Sequence, residues 1–168
     1  MLPTSVAPDP PPSLPQRNLI RGFELGLPSG QDVAHAMGVK PLRDDQITIG
    51  KAVDKPDQNP PDPDVRGTIE SLPKTVPAIA AFKGKCPLWT YILAEAFNTR
   101  TQVNIPVTEK KHISTPQLGP VGGRIVAEVF LGLMFGDRDS LFNINPSWTP
   151  TIKSPFNLKD FVNYALGR

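Results

Sequence analysis

Proline removes a backbone donor and holds φ at about −65°, so its distribution decides where this chain can be regular. The 21 prolines of the 168-residue sequence are strongly clustered. Pro3, Pro8, Pro10, Pro11, Pro12 and Pro15 crowd the start, and Pro41, Pro56, Pro60, Pro61, Pro63, Pro73 and Pro77 punctuate a second stretch. Residues 1–16 therefore read as an extended proline-rich leader, with PxxP spacings from Pro8 to Pro11 and Pro12 to Pro15 that more often mark a linker than a ligand. Residues 41–77 read as a long irregular loop without a core of its own, broken by a helical turn near residues 43–49. The expected class is mainly α: an irregular helical domain over residues 17–168, with long proline-rich loops.

Between the breakers, apolar spacing and capping residues outline four helices. Ser29 as N-cap, with Asp32 three residues on, starts a short helix over residues 30–37 that Gly38 ends. Pro87 fits the first position of a helix running to Asn98. Leu88, Tyr91, Ile92, Glu95 and Ala96 follow its period, and Trp89, Leu93 and Phe97 widen the apolar face until a core helix is expected. Residues 121–135 form the longest segment, about 22 Å at about 1.5 Å per residue. It is apolar on nearly every side, so burial on most sides is expected, with Gly122, Gly123 and Gly132 permitting close approach. Arg124 and Glu128, spaced i,i+4, read as an ion pair at a core edge rather than an acid/base dyad. Asn157 and Asp160 open a last amphipathic helix over residues 158–166, closed by Gly167. The polar, β-branched run from Thr99 to Pro116 suits a hairpin-like excursion.

Composition closes off several functions. A net charge of +2 and a pI near 8.8 are too mild for nucleic-acid binding. The single cysteine, Cys86, excludes an internal disulfide and reads as a buried, inert thiol. No apolar run of 18 residues suggests a membrane span, and the leader lacks the basic start and apolar centre of a secretory signal, which favours the cytoplasm. Asn145-Pro146-Ser147 is blocked as a glycosylation site by its proline. Asp54, Asp57, Asp62 and Asp64 lack calcium-loop spacing. His35 has no second ligand at i±4 and does not read as a metal ligand, and His112 beside Lys110 and Lys111 forms a basic trio that reads as a solvated loop. There is no phosphate-binding glycine loop and no nucleophile elbow.

What remains is the stretch from Arg17 to Gln31. On a helical turn Arg17 and Arg21 project from one side as a paired cation, with the Asn18 amide beside them and a Gly-Leu-Pro-Ser-Gly turn following. A solvated helix–turn–helix corner is the plain structural reading. Asn18, Arg21 and the Gly26-Leu27-Pro28 turn also resemble the Asn-x-x-Arg…Gly-Leu-Pro signature of animal-type haem peroxidases, in the form of their bacterial branch. Residues 86–96 and 118–130 are similar to the same branch and stand in the same order. The Gly136-Asp137-Arg138 corner is similar too and receives no catalytic part.

The resemblance implies a C-terminal, haem-proximal peroxidase segment and, through it, haem b and peroxide-dependent oxidation of an organic or halide donor. It makes Asn18 the amide that accepts a hydrogen bond from the iron-bound histidine, and Arg21 the partner of a haem propionate. Phe23 and Glu24-Leu25 depart from the mammalian pattern, which leaves Arg17 and Arg21 as the expected cations of the turn. The family's distal histidine and arginine and its proximal histidine precede this signature, whereas only seventeen residues precede Asn18 here. The expectation is thus a chain inactive alone, whose partner is an upstream peroxidase segment carrying the iron ligand. The competing expectation is a non-catalytic helical interaction module derived from the same scaffold.

Overall fold

The computed structural model describes residues 13–50, 67–74, 76–105, 111–149 and 158–167. The leader up to residue 12, the four aspartates between residues 54 and 64, and the arm from Pro150 to Asn157 lie outside the described residues. The described chain is mainly helical, as expected, with two small antiparallel ladders and no closed sheet. It divides into two units, residues 1–126 and 127–168.

In the first unit, helix α1 (Leu14–Glu24) begins earlier than the proline pattern suggested. Pro15 stands in its first turn, where a missing N–H costs nothing, so the helix takes in the end of the expected leader. Helix α2 (Gly30–Ala36) is capped as the sequence suggests: the Ser29 side chain accepts from the Asp32 N–H, and Met37 ends it. Helix α3 (Leu88–Asn98) packs against both α1 and α2. It leads into strands β3 (Arg100–Ile105) and β4 (Lys111–Pro116), an antiparallel hairpin that pairs Arg100 with Pro116 and Ile105 with Lys111.

The expected coreless loop is corrected by the structure. Strands β1 (Thr48–Ile49) and β2 (Gly67–Thr68) pair antiparallel across it, and Ile47, Ile69 and Leu72 are buried. Ile47 and Ile69 join Ala34, Cys86, Tyr91, Ala94 and Val121 in one core cluster. The buried Ile47 and Ile69 flank this two-residue ladder and are joined by the Ile69 N–H donating to the Ile47 carbonyl at 3.1 Å.

Two polar side chains are buried with this core, and each closes a junction. Gln31 Oε1 accepts the Cys86 N–H at 2.8 Å. Glu95 on α3 accepts the N–H groups of Val121 and Gly122 at 3.0 to 3.1 Å, at the start of helix α4 (Pro120–Gly136). Those two donors have no partner within the helix, and a buried carboxylate satisfies them with favourable sign against the helix dipole. Gly30 crosses α3 so closely that a Cβ there would run into the Tyr91 ring.

Helix α4 is not sheathed as its composition suggested. Val121 and Gly122 are its only buried residues, and the close approach expected of its glycines is made by Gly122 against Ile92. From Ala127 the helix belongs to the second unit, where Phe130 (63%), Leu133 (65%) and Phe135 (65%) are exposed. Short helix α5 (Leu141–Ile144) is tied back to its C-terminal end. The Ser140 hydroxyl donates to the Met134 carbonyl, Asn143 Nδ2 donates to Phe135 and Asp137, and the Phe135 and Phe142 rings stack at 5.1 Å. Helix α6 (Leu158–Ala165) leaves Phe161, Val162 and Tyr164 exposed.

Candidate functional site

The site is built where α1 turns into α2. Gly26, at φ 61°, follows the C-cap Leu25 in the left-handed conformation that a glycine adopts without strain. The Gly26 N–H donates to the Phe23 carbonyl and the Leu27 N–H to Gly22, which is the paired closure that ends a helix and reverses the chain. Pro28 then delivers the chain to the Ser29 cap, whose hydroxyl donates to Asp32 Oδ2 at 2.7 Å.

Facing this turn is the chain that enters α3. The Gly30 N–H donates to the Cys86 carbonyl at 2.8 Å while Cys86 N–H donates back to Gln31 Oε1, and Ser29 bridges Pro87. These bonds hold two segments, 55 residues apart at Gln31 and Cys86, side by side.

Between them lies a concave site of about 630 Å³. Asn18, Arg21, Gly22, Phe23 and Leu27 line one side, and Phe82, Lys85, Leu88 and Trp89 the other. The volume falls within the range of about 300–1,000 Å³ common to cofactor and small-molecule sites. Most of the wall is apolar, and its charged members are Arg21, Lys85 and Asp32. Phe23 is 87% exposed at its edge.

Both residues singled out in the sequence are therefore in the wall: Asn18 half-buried, Arg21 exposed. Arg17 is not among the lining residues, so the paired cation expected on the helix is not what faces the cavity. The second cation is Lys85, which the sequence reading passed over. A usable signal was present in Gly84, which adopts φ 65° and turns the chain so that Lys85 meets the α1–α2 corner. Finding it required knowing that Gln31 and Cys86 are neighbours, and no local pattern reports that.

The remaining chemistry-bearing groups have structural roles. Cys86 is fully buried, and burial, with a smaller contribution from Asp44, pushes its thiol up to about 12, so it stays protonated and unreactive at neutral pH. A polar hollow formed by Arg43, Asp44, Asp45, Glu70 and Lys83 contains an exposed ion pair, Arg43 Nη2 to Asp45 Oδ2 at 2.8 Å. That hydrogen bond holds the Asp45 carboxyl below its ordinary range. Asp44 is engaged by the Gly84 N–H and the Gln31 amide. His35 is exposed on α2, and among the described residues no group of three His, Cys, Asp or Glu could hold a metal ion.

Comparison of this chain with protein-family models, curated proteins and solved structures finds no match. No helix among the described residues is long and apolar enough to cross a membrane.

Proposed function

We propose that this chain supplies the haem-proximal wall of an animal-type peroxidase, with the concave site between α1 and α3 receiving the edge of haem b. The observation that carries the reading is the shared placement of Asn18 and Arg21, the two residues the resemblance marks, in the wall of one apolar cavity of about 630 Å³.

The residues present fit the cofactor's edge rather than its iron. Phe23, Leu27, Leu88 and Trp89 offer apolar surface to a macrocycle, and the Arg21 guanidinium offers paired donors to a carboxylate. None of the lining residues is a His, Cys, Met or Tyr, so this wall presents no axial ligand of the usual kinds. The ligand and the peroxide-cleaving groups are those of an upstream peroxidase segment acting as partner. Bound haem would supply the peroxide-dependent oxidation; this chain's own contribution is to hold. Asn18 accepts the proximal imidazole N–H and fixes the ring's orientation, while Arg21 anchors a propionate.

The isolated chain mixed with hemin and hydrogen peroxide should oxidise an aromatic donor no faster than hemin alone. Co-expressed with an upstream segment of the same reading frame or its neighbour, it should yield a Soret band, and Asn18→Ala should weaken that haem site. Turnover by the isolated chain well above free hemin would sink the proposal.

The exposed apolar side chains of α4 favour a second reading, a non-catalytic helical interaction module that keeps the scaffold without the cofactor. Under it, Asn18→Ala leaves partner capture unchanged and no Soret band forms in any combination.

A further inference from the structure

We infer that the α1–α3 cavity selects an anionic amphipathic ligand through Lys85 acting opposite Arg21. The inference deepens the proposed haem site but rests on it only for the identity of the ring system, not for the ligand's charge. Three features of the wall carry it.

The first is the charge balance. Two cations and one carboxylate line a mostly apolar cavity whose other polar side chains are Asn18 and Ser29. The carboxylate, Asp32, is committed to its own helix cap, where it accepts the Ser29 hydroxyl at 2.7 Å. Among the described residues neither Arg21 nor Lys85 forms an ion pair within 4.0 Å with a carboxylate. A cation exposed over apolar surface is complementary to a ligand that carries its charge at the edge of a hydrophobic body.

The second is that the backbone under Lys85 is held on every side. Its own N–H donates to the Phe82 carbonyl at 3.0 Å. The Gly84 N–H before it is held by both Asp44 carboxylate oxygens at 3.1 Å, and the Cys86 N–H after it by the buried Gln31 amide. Three consecutive amides are thus fixed on a surface turn, which sets the origin of the lysine side chain while its ammonium remains exposed. Such anchoring lowers the ordering cost of a later contact.

The third is placement. Lys85 and Arg21 approach the cavity from chain segments on its two sides, α1 and the turn before α3. A ligand with two acidic groups, or one acidic edge spanning both, would use them together.

The test uses the full chain with Trp148→Phe, which leaves Trp89 in the cavity wall as the one tryptophan reporter. Two matched probe pairs differ in charge: anilinonaphthalene sulfonate against uncharged N-phenylnaphthylamine, and protoporphyrin IX against its dimethyl ester. Quenching of Trp89 gives each affinity. Lys85→Glu is expected to weaken both anionic probes about three- to tenfold, from exposed-pair energies and the reversal of sign, and to leave both uncharged probes unchanged. Lys85→Arg should retain anionic binding. Equal loss for charged and uncharged probes, no effect of Lys85→Glu on the sulfonate, or no quenching of Trp89 by it would each overturn the inference. If the sulfonate pair behaves as expected and neither porphyrin binds, the charge selectivity stands and the haem reading falls.

Discussion

Glu95 shows how much one side chain carries in a small core. It is buried at 3% exposure, and its two oxygens take the N–H groups of Val121 and Gly122. Replacing it by alanine leaves two buried donors unsatisfied, and each such group costs about 1–3 kcal/mol. Glu95→Ala is therefore expected to destabilise the chain by about 2–4 kcal/mol in urea unfolding, whereas Glu95→Gln, which keeps one acceptor oxygen, should lose about half as much. Cys86 makes a pH-dependent statement of the opposite kind. Its thiol titrates at about 12 in the fold against 9.0 for the free side chain. Between those values the unfolded chain releases the proton and the folded chain keeps it, so stability is fully present below pH 9 and falls as pH rises towards 12. A loss on the order of 1 kcal/mol per pH unit is expected above pH 9, and Cys86→Ala should flatten that slope after its own loss of packing is subtracted.

At the scale of elements, α2 and α3 hold together by close approach rather than by large interlocking side chains. A methyl at Gly30 would meet the Tyr91 ring, and the Tyr91 hydroxyl accepts the Leu42 N–H at 2.9 Å, so any shift of α3 also releases that bond. Gly30→Ala should lower thermal stability by about 2–3 kcal/mol, comparable to overpacking elsewhere, with the loss visible as a shift in the unfolding midpoint. Helix α1 contrasts with this: none of its residues is buried. Its amides should exchange with deuterium far sooner than those of α2 and α3, because opening it exposes little additional apolar surface. Equal protection across the three helices would show that α1 is held more firmly than its burial implies. In the second unit, the exposed side chains of α4 should make the isolated chain self-associate as concentration rises. Phe130→Glu with Leu133→Glu should suppress that association in sedimentation velocity without reducing stability, since neither residue is buried.

For the molecule as a whole, local chemistry in the sequence outlined α2, α3, α4 and α6 but neither the start of α1 nor the short α5. Ser29 with Asp32 and Gly26 in its turn act within a few residues and appear where their own backbone bonding requires, while Pro87 stands one residue ahead of α3, as its N-cap rather than its first position. Asn18 and Arg21 were singled out by the resemblance of their motif alone, and their i,i+3 spacing on one helix brings them to a common face whatever the helix packs against. Burial was not legible in this way. Ile47 and Ile69 sit in a proline-rich stretch that looked coreless, yet both are fully buried, while α4 looked like an interior helix and is mostly exposed. Period and hydrophobicity state which side chains prefer to leave water; they do not state whether a covering surface exists. That depends on contacts such as Gln31 with Cys86 and Glu95 with Val121, which close loops of 55 and 26 residues. Tertiary structure alone made those pairings, and with them it turned Lys85 and Trp89 to face Asn18 and Arg21 across one cavity.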